Sequence, residues 1–254
     1  MRRTDETRQG DTRQILGIRF HAGGVESALE RMAGGGLLVV PAAPALKDLA
    51  THPSYRAALL DADVAIADSA FMVLMWNLIE GDRLPRVSGL RYLRALLERE
   101  NARRPGNTFW VMAGRASAEK NLAWLSSQGI AVPDECVYLA PMYGDPIADE
   151  VLVERLERLR PQQVVITVGG GTQERLGSYL KHRLSYRPAL HCIGAAIAFL
   201  SGDQVHIPEW ADRLYLGWLL RCLSSPKRYI PRYLSAPRLL PLLWRYRSRL
   251  PVES

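Results

Sequence analysis

The chain has 254 residues, 33 Lys and Arg against 26 Asp and Glu for a net charge of +7, and is 48% hydrophobic and 23% charged. That balance excludes a disordered or fibrous chain, and the length suffices for one large domain without covalent staples. Three dispersed cysteines (Cys136, Cys192, Cys222) without CxxC spacing exclude a disulfide framework and a cysteine zinc site, and the lack of any run of about 18 apolar residues excludes a spanning helix.

Residues 1–14 are polar and read as a disordered leader, with no apolar stretch of signal-peptide length behind them. ILGIRF (15–20) alternates as a strand, and GGVESALERMAGGG reads as a short helix closed by Gly34–Gly36. LLVVPA (37–42) is a buried strand ending at Pro41, a helical stretch covers 45–61, and VAIAD (64–68) is a second apolar strand ending in a carboxylate. AFMVLMWNLIEGD is helical and strongly apolar, while SGLRYLRALLERENARR is an amphipathic helix with Leu90, Leu93, Leu96 and Leu97 on one face. The alternation continues through NTFWVMAG, SAEKNLAWLSSQG, CVYLAP, PIADEVLVERLERLR, QVVITVGGG, TQERLGSYLKHRL and ALHCIGAAIAFLSG.

Short apolar strands alternating with longer helices predict an α/β fold: a mostly parallel, Rossmann-like sheet with helices on both faces. The strand signal ends near residue 205. We therefore expect an α/β core at 13–205 and a helical C-terminal appendage at 206–254. From His206 onward nine Lys and Arg face three acids, so the appendage carries +6 of the +7.

Ligands of open α/β sheets sit beyond the carboxyl ends of the strands. Asp68 ends VAIAD there and suits either an N-cap, a role Ser69 could share, or a general base. Asp61-Ala62-Asp63 has the DxD spacing of a divalent-metal site, but it precedes its strand and is expected to be a solvated turn. Gly169–Gly171 joins a strand to a helix and could offer N–H groups to a phosphate or simply make a tight turn. It matches neither GxGxxG nor GxxxxGK[ST], which argues against a dinucleotide fold or P-loop. Gln173 and Glu174 fall in the first turn of the next helix, placed for its dipole or for a sugar or base. The five histidines lack ligand spacing, and no GxSxG is present. The tail PKRYIPRYLSAPRLLPLLWRYRSRL interleaves Arg with Tyr, Trp and Leu, which favours an anionic membrane surface over nucleic acid.

The stretch ADVAIADSAFMVLMWNLIEGDRLPRVSGLRYLRALLE resembles the signature of the WecG/TagA/CpsF glycosyltransferases (glycosyltransferase family 26). VMAGRASAEKNLAWL, VGGGTQERL and GAAIAFLSGDQVHIPEWADRLYLGWLLRCLSSPKRY resemble three later family segments in order, so the likeness spans about 15–235. It implies an inverting transferase that uses no cofactor or metal. The donor would be a UDP-sugar carrying a hexose or N-acetylhexosamine, and the acceptor a polyprenyl-diphosphate-linked saccharide in cell-surface polysaccharide assembly. The enzyme would be cytoplasmic and peripheral on the inner face of the cell membrane. The resemblance further implies Asp68 as general base, a pocket lined by Ser69, Arg86, Ser88, Gly114, Gly169, Gly170, Gln173, Glu174 and Gly194, and a diphosphate met by Arg221, Arg228 and Arg232.

This chain departs from the family pattern in several places. Pro41-Ala42-Ala43 replaces a Thr-x-Asn, Ser69 a Gly, Arg91 an Asp and Ala198 an Asp. The competing readings are a non-catalytic relative that binds lipid-diphosphate intermediates or a pathway partner, and a nucleic-acid binder using the basic tail. A homo-oligomer is compatible with each.

Overall fold

The structure, a computed structural model, describes residues 12–214 and 216–251, apart from the side chains of residues 209, 213, 228 and 232. Eight strands form one sheet: β1 (Thr12–Ile15), β2 (Ile18–His21), β3 (Gly36–Val39), β4 (Val64–Ala65), β5 (Thr108–Met112), β6 (Val137–Leu139), β7 (Gln163–Ile166) and β8 (Ala189–Cys192). Their order is β1-β2-β4-β3-β8-β7-β5-β6, parallel throughout except for the β1–β2 edge pair.

Alternate residues of each strand face opposite layers. Leu37 and Val39 join one apolar cluster with the helices Pro53–Asp61, Ala70–Glu80, Glu150–Leu159 and Thr172–Arg183, and Leu38 and Val40 join a second with Val25–Met32, Gly89–Glu98 and Arg115–Ser127. Burial on both faces is why the strands read as continuous apolar runs. Gly177 lets the helix Thr172–Arg183 lie close on the sheet, since a Cβ there would stand 2.6 Å from both Cys192 Sγ and Leu37 Cδ1. Among the described residues, no helix is long and apolar enough to cross a membrane.

Three expectations change. Residues 12–14 belong to β1 rather than to a leader, and residues 1–11 lie outside the described residues. ILGIRF is a hairpin instead of one strand, because Leu16 (φ +50°) and Gly17 (φ +81°) turn the chain between β1 and β2. The stretch 45–61 is also broken, into Ala43–Leu46 and Pro53–Asp61, as Pro53 favours a helix start and holds His52 outside the helical region.

The C-terminal segment packs back onto the sheet layers. Leu239 and Leu243 of the helix Leu239–Tyr246 are buried in the first cluster, and the Leu16 N–H donates to the Arg247 carbonyl at 2.7 Å. Nearer its start, Ile207 and Ala211 pack with Leu90 and Phe199 in a separate cluster.

His191 on β8 is fully buried between two partners. The Tyr92 hydroxyl lies 3.0 Å from Nδ1 and the Gln163 Oε1 2.7 Å from Nε2, which suits a neutral ring taking one proton and giving one. Burial pushes its pKa down to about 3. The unfolded chain therefore takes up a proton near pH 6.5 that the folded one refuses, and stability falls with acid between those values. Each pH unit in that window should remove about 1.4 kcal/mol. Urea midpoints at pH 7.5, 5.5 and 4.5 check this, and His191→Gln should flatten the slope.

Candidate active site

A cleft of about 1110 Å³ opens at the carboxyl ends of the parallel strands, where the segments after β3, β4, β5, β7 and β8 converge under the appendage. Asp68, Arg86, Ser88, Gly169, Gly170, Gln173, Glu174, Gly194 and Arg221 line it, bringing together nine of the residues singled out from sequence. Ser69 and Gly114 do not line it. Arg228 and Arg232 sit on the helix Pro226–Leu234 with side chains outside the described residues.

Asp68 does not cap the following helix. The Ser69 hydroxyl does, accepting the Met72 N–H at 3.3 Å, which leaves the Asp68 carboxylate, 30% exposed, in the cleft. Arg86 holds it from one side: Nη2 donates to Asp68 Oδ1 at 3.2 Å and Nε to the Asp68 carbonyl at 2.7 Å. The same guanidinium reaches Asp212 Oδ1 at 2.9 Å, and Ser88 Oγ donates to Asp212 Oδ2 at 2.5 Å. Ser88 also caps the helix Gly89–Glu98.

Gln173 and Glu174 brace two strand ends. Gln173 Oε1 accepts the Gly194 N–H at 2.6 Å, its Nε2 donates to Glu174 Oε1 at 3.0 Å, and Glu174 Oε2 accepts the Gly171 N–H at 2.6 Å. Of the glycine run, then, Gly171 has its N–H engaged by Glu174 and stands at φ +86°, where a side chain is strained. Burial pushes the Glu174 carboxyl up, against the opposing hydrogen bonds from Gln173 and Gly171.

The Asp61/Asp63 pair stands at the amino end of β4, the opposite end from the cleft. It lies at the helix-to-strand turn expected, with Asp63 exposed and both carboxylates drawn into ion pairs. Lys181 Nζ lies 3.2 Å from Asp61 Oδ1 and 3.0 Å from Asp63 Oδ2, and Arg187 Nη2 donates to Asp63 at 3.0 Å. Burial raises the Asp63 pKa, but the Leu37 N–H, Lys181 and Arg187 outweigh it and hold the carboxyl below its usual range.

On the C-terminal side, the Arg221 guanidinium carbon stands over the Phe199 ring, 4.3 Å from its centroid, and its Nη1 donates to the Tyr233 hydroxyl at 3.3 Å. Its Nε is buried with no hydrogen-bond partner among the described residues. The buried hydroxyl of Tyr55, also on the cleft wall, has none either. Sequence reasoning missed Tyr55 and Asp212. Tyr55 carries no local signal. Asp212 could have been noticed as an acid in a tail otherwise dominated by arginine.

A carboxylate and an arginine facing one cleft can take a proton from a bound hydroxyl and balance an anionic leaving group. Comparison with known proteins agrees with that chemistry. The model described as "Glycosyl transferase WecG/TagA/CpsF family" matches residues 13–252. The N-acetylglucosaminyldiphosphoundecaprenol N-acetyl-beta-D-mannosaminyltransferase of Bacillus spizizenii is 22% identical over 208 residues, covering 79% of this chain and 78% of that protein.

Proposed function

The chain belongs to the WecG/TagA/CpsF glycosyltransferase family, and from that membership we propose that it transfers a hexose or N-acetylhexosamine from a UDP-sugar to a polyprenyl-diphosphate-linked saccharide with inversion. The observation that carries the reading is the Asp68 carboxylate, freed from capping and facing the same cleft as Arg221. Asp68 takes the proton of an acceptor hydroxyl as that oxygen attacks the anomeric carbon. The bond from that carbon to the UDP oxygen breaks on the opposite face, and Arg221 meets the charge that develops on the diphosphate. Arginine in this role makes a divalent metal unnecessary. The name of the Bacillus relative makes N-acetylglucosaminyl-diphosphoprenol the acceptor to try first. The cleft volume exceeds what one drug-sized ligand usually needs, in keeping with a donor and an acceptor bound together.

We assign residues 13–205 as the catalytic core and 206–254 as an appendage that covers the site and meets the membrane. Two features support peripheral attachment to an anionic leaflet. Leu78 is 77% and Trp244 65% exposed, and with Leu240 and Pro241 they line an apolar groove of about 650 Å³ between the helices Ala70–Glu80 and Leu239–Tyr246. Arg245, Arg247 and Arg249 follow on the same segment, with Arg247 5.9 Å from the Trp244 ring and paired with Glu80 at 3.4 Å.

The test is transfer from labelled UDP-glucose, UDP-N-acetylglucosamine and UDP-N-acetylmannosamine onto vesicles carrying N-acetylglucosaminyl-diphosphoprenol, in EDTA, with UDP binding followed by calorimetry. One donor should be turned over, faster on phosphatidylglycerol than on phosphatidylcholine, and UDP should bind. UDP binding without transfer makes the chain a non-catalytic relative. Absence of UDP binding overturns the reading.

A further inference from the structure

The polar network around Asp68 ends on a residue of the appendage. Asp212, on the short helix Glu209–Arg213, is 3% exposed. It accepts Ser88 Oγ at 2.5 Å, Arg86 Nη2 at 2.9 Å and, through its backbone carbonyl, Arg86 Nη1 at 2.7 Å. Ser88 and Arg86 lie more than a hundred residues away in sequence, so these bonds tie the appendage to the core at the cleft wall.

Arg86 is thereby held from two sides. Its Nε is fixed by the Asp68 carbonyl and its Nη1 by the Asp212 carbonyl, while Nη2 is shared between the Asp68 and Asp212 carboxylates. Because Nε and Nη1 are taken by the two backbone carbonyls and only Nη2 meets the carboxylates, the guanidinium closes on neither carboxylate as a two-pronged pair. Asp68 is engaged by Arg86 through one oxygen, Oδ1, at the long distance of 3.2 Å. Without Asp212, a part-buried cation already bonded to Asp68 would turn both prongs toward that carboxylate. The carboxylate would then be occupied by Arg86 in place of substrate.

Resting on the reading of Asp68 as base, we propose that Asp212 is a positioning residue for the transfer reaction: it restrains Arg86 so that the Asp68 carboxylate is oriented, but not consumed, by its arginine partner. Because Asp212 comes from the appendage, the base is set in place by that segment as well as by its own strand. Ser88 fixes Asp212 in turn.

The experiment compares Asp212→Ala and Asp212→Asn in the full chain, each in wild-type and Asp68→Asn backgrounds, using the donor and acceptor found above. Asp212→Ala should lower kcat about 100-fold with the donor KM within about threefold, and Asp212→Asn, which keeps the shape and one acceptor oxygen, should lose less. In the Asp68→Asn background, Asp212→Ala should cost less than about threefold more, because it acts through the group already removed. A kcat near wild type, or an additive loss in the double variant, overturns the proposal. If Asp212→Ala fails to fold, Asp212→Asn and Ser88→Ala carry the same comparison.

Failure of every donor would overturn the proposed function rather than this inference. Exchange of the Arg86 Nε–H, followed by NMR in isotopically labelled protein, reads the restraint without turnover. It should differ at least about tenfold between Asp212→Ala and wild type, and an unchanged rate overturns the restraint.

Discussion

Asp68→Asn is expected to lower turnover of the preferred donor by about 10²–10⁴-fold, the range a positioned general base supplies, while UDP affinity stays within about threefold. Asparagine is close to isosteric, and its amide oxygen can still accept from Arg86 Nη2, now 3.2 Å from Asp68 Oδ1. The second hold of Arg86, on the Asp68 backbone carbonyl, is unaffected by the change. The helix beginning at Ala70 is capped by Ser69 and should not fray. The substitution thus removes proton acceptance and little else. Single-turnover transfer, with UDP binding measured alongside, separates the outcomes. Near-wild-type transfer by Asp68→Asn would mean that another group takes the proton. Lost transfer together with lost UDP binding would assign Asp68 to donor binding.

The sheet was legible because its strands are buried on both faces, so LLVV and QVVIT stand out as unbroken apolar runs without any knowledge of their neighbours. Asp68 was legible for a related reason: a carboxylate closing such a run lands at the end of the sheet where ligands bind. The hairpin at the amino end was not, since Ile15 and Ile18 keep the alternation of one strand while the positive φ values at Leu16 and Gly17 reverse the chain. Residue type alone also failed to separate bracing from binding. The bond from Glu174 to Gly171 is local and follows the i, i+3 spacing of a helix start, but Gln173 meets Gly194 only once β7 and β8 are neighbours. Asp212 is the extreme case. Its partners come from the core, so its presence among the arginines of the tail is visible in the sequence but its burial is not. Lateral strand order and appendage docking are long-range outcomes, and the network that orients Asp68 depends on both.

Arg221→Ala is expected to lower kcat by about 10²–10³-fold, the cost of removing one donor aimed at developing charge. The physical case rests on what holds this arginine. The Phe199 ring, its centroid 4.3 Å from the guanidinium carbon, holds the cation over its face, and the bond to the Tyr233 hydroxyl occupies one prong. The buried Nε–H is without a partner among the described residues, and a buried donor left unmet is costly unless a ligand meets it. A diphosphate oxygen supplies that partner, and it is needed most when the bond to the sugar breaks and negative charge accumulates. Arg221→Lys should therefore recover little of the loss, staying at least about 30-fold below wild type, because an ammonium has no planar fork and carries no counterpart of the buried Nε–H. The check is kcat and UDP affinity for both variants, with thermal unfolding to show that the Phe199 contact is not simply required for folding. If lysine restores turnover to within about fivefold of arginine, charge alone suffices and the planar fork is irrelevant to the step. If alanine leaves kcat unchanged and weakens only UDP binding, Arg221 holds the donor in its ground state and another group must meet the leaving diphosphate.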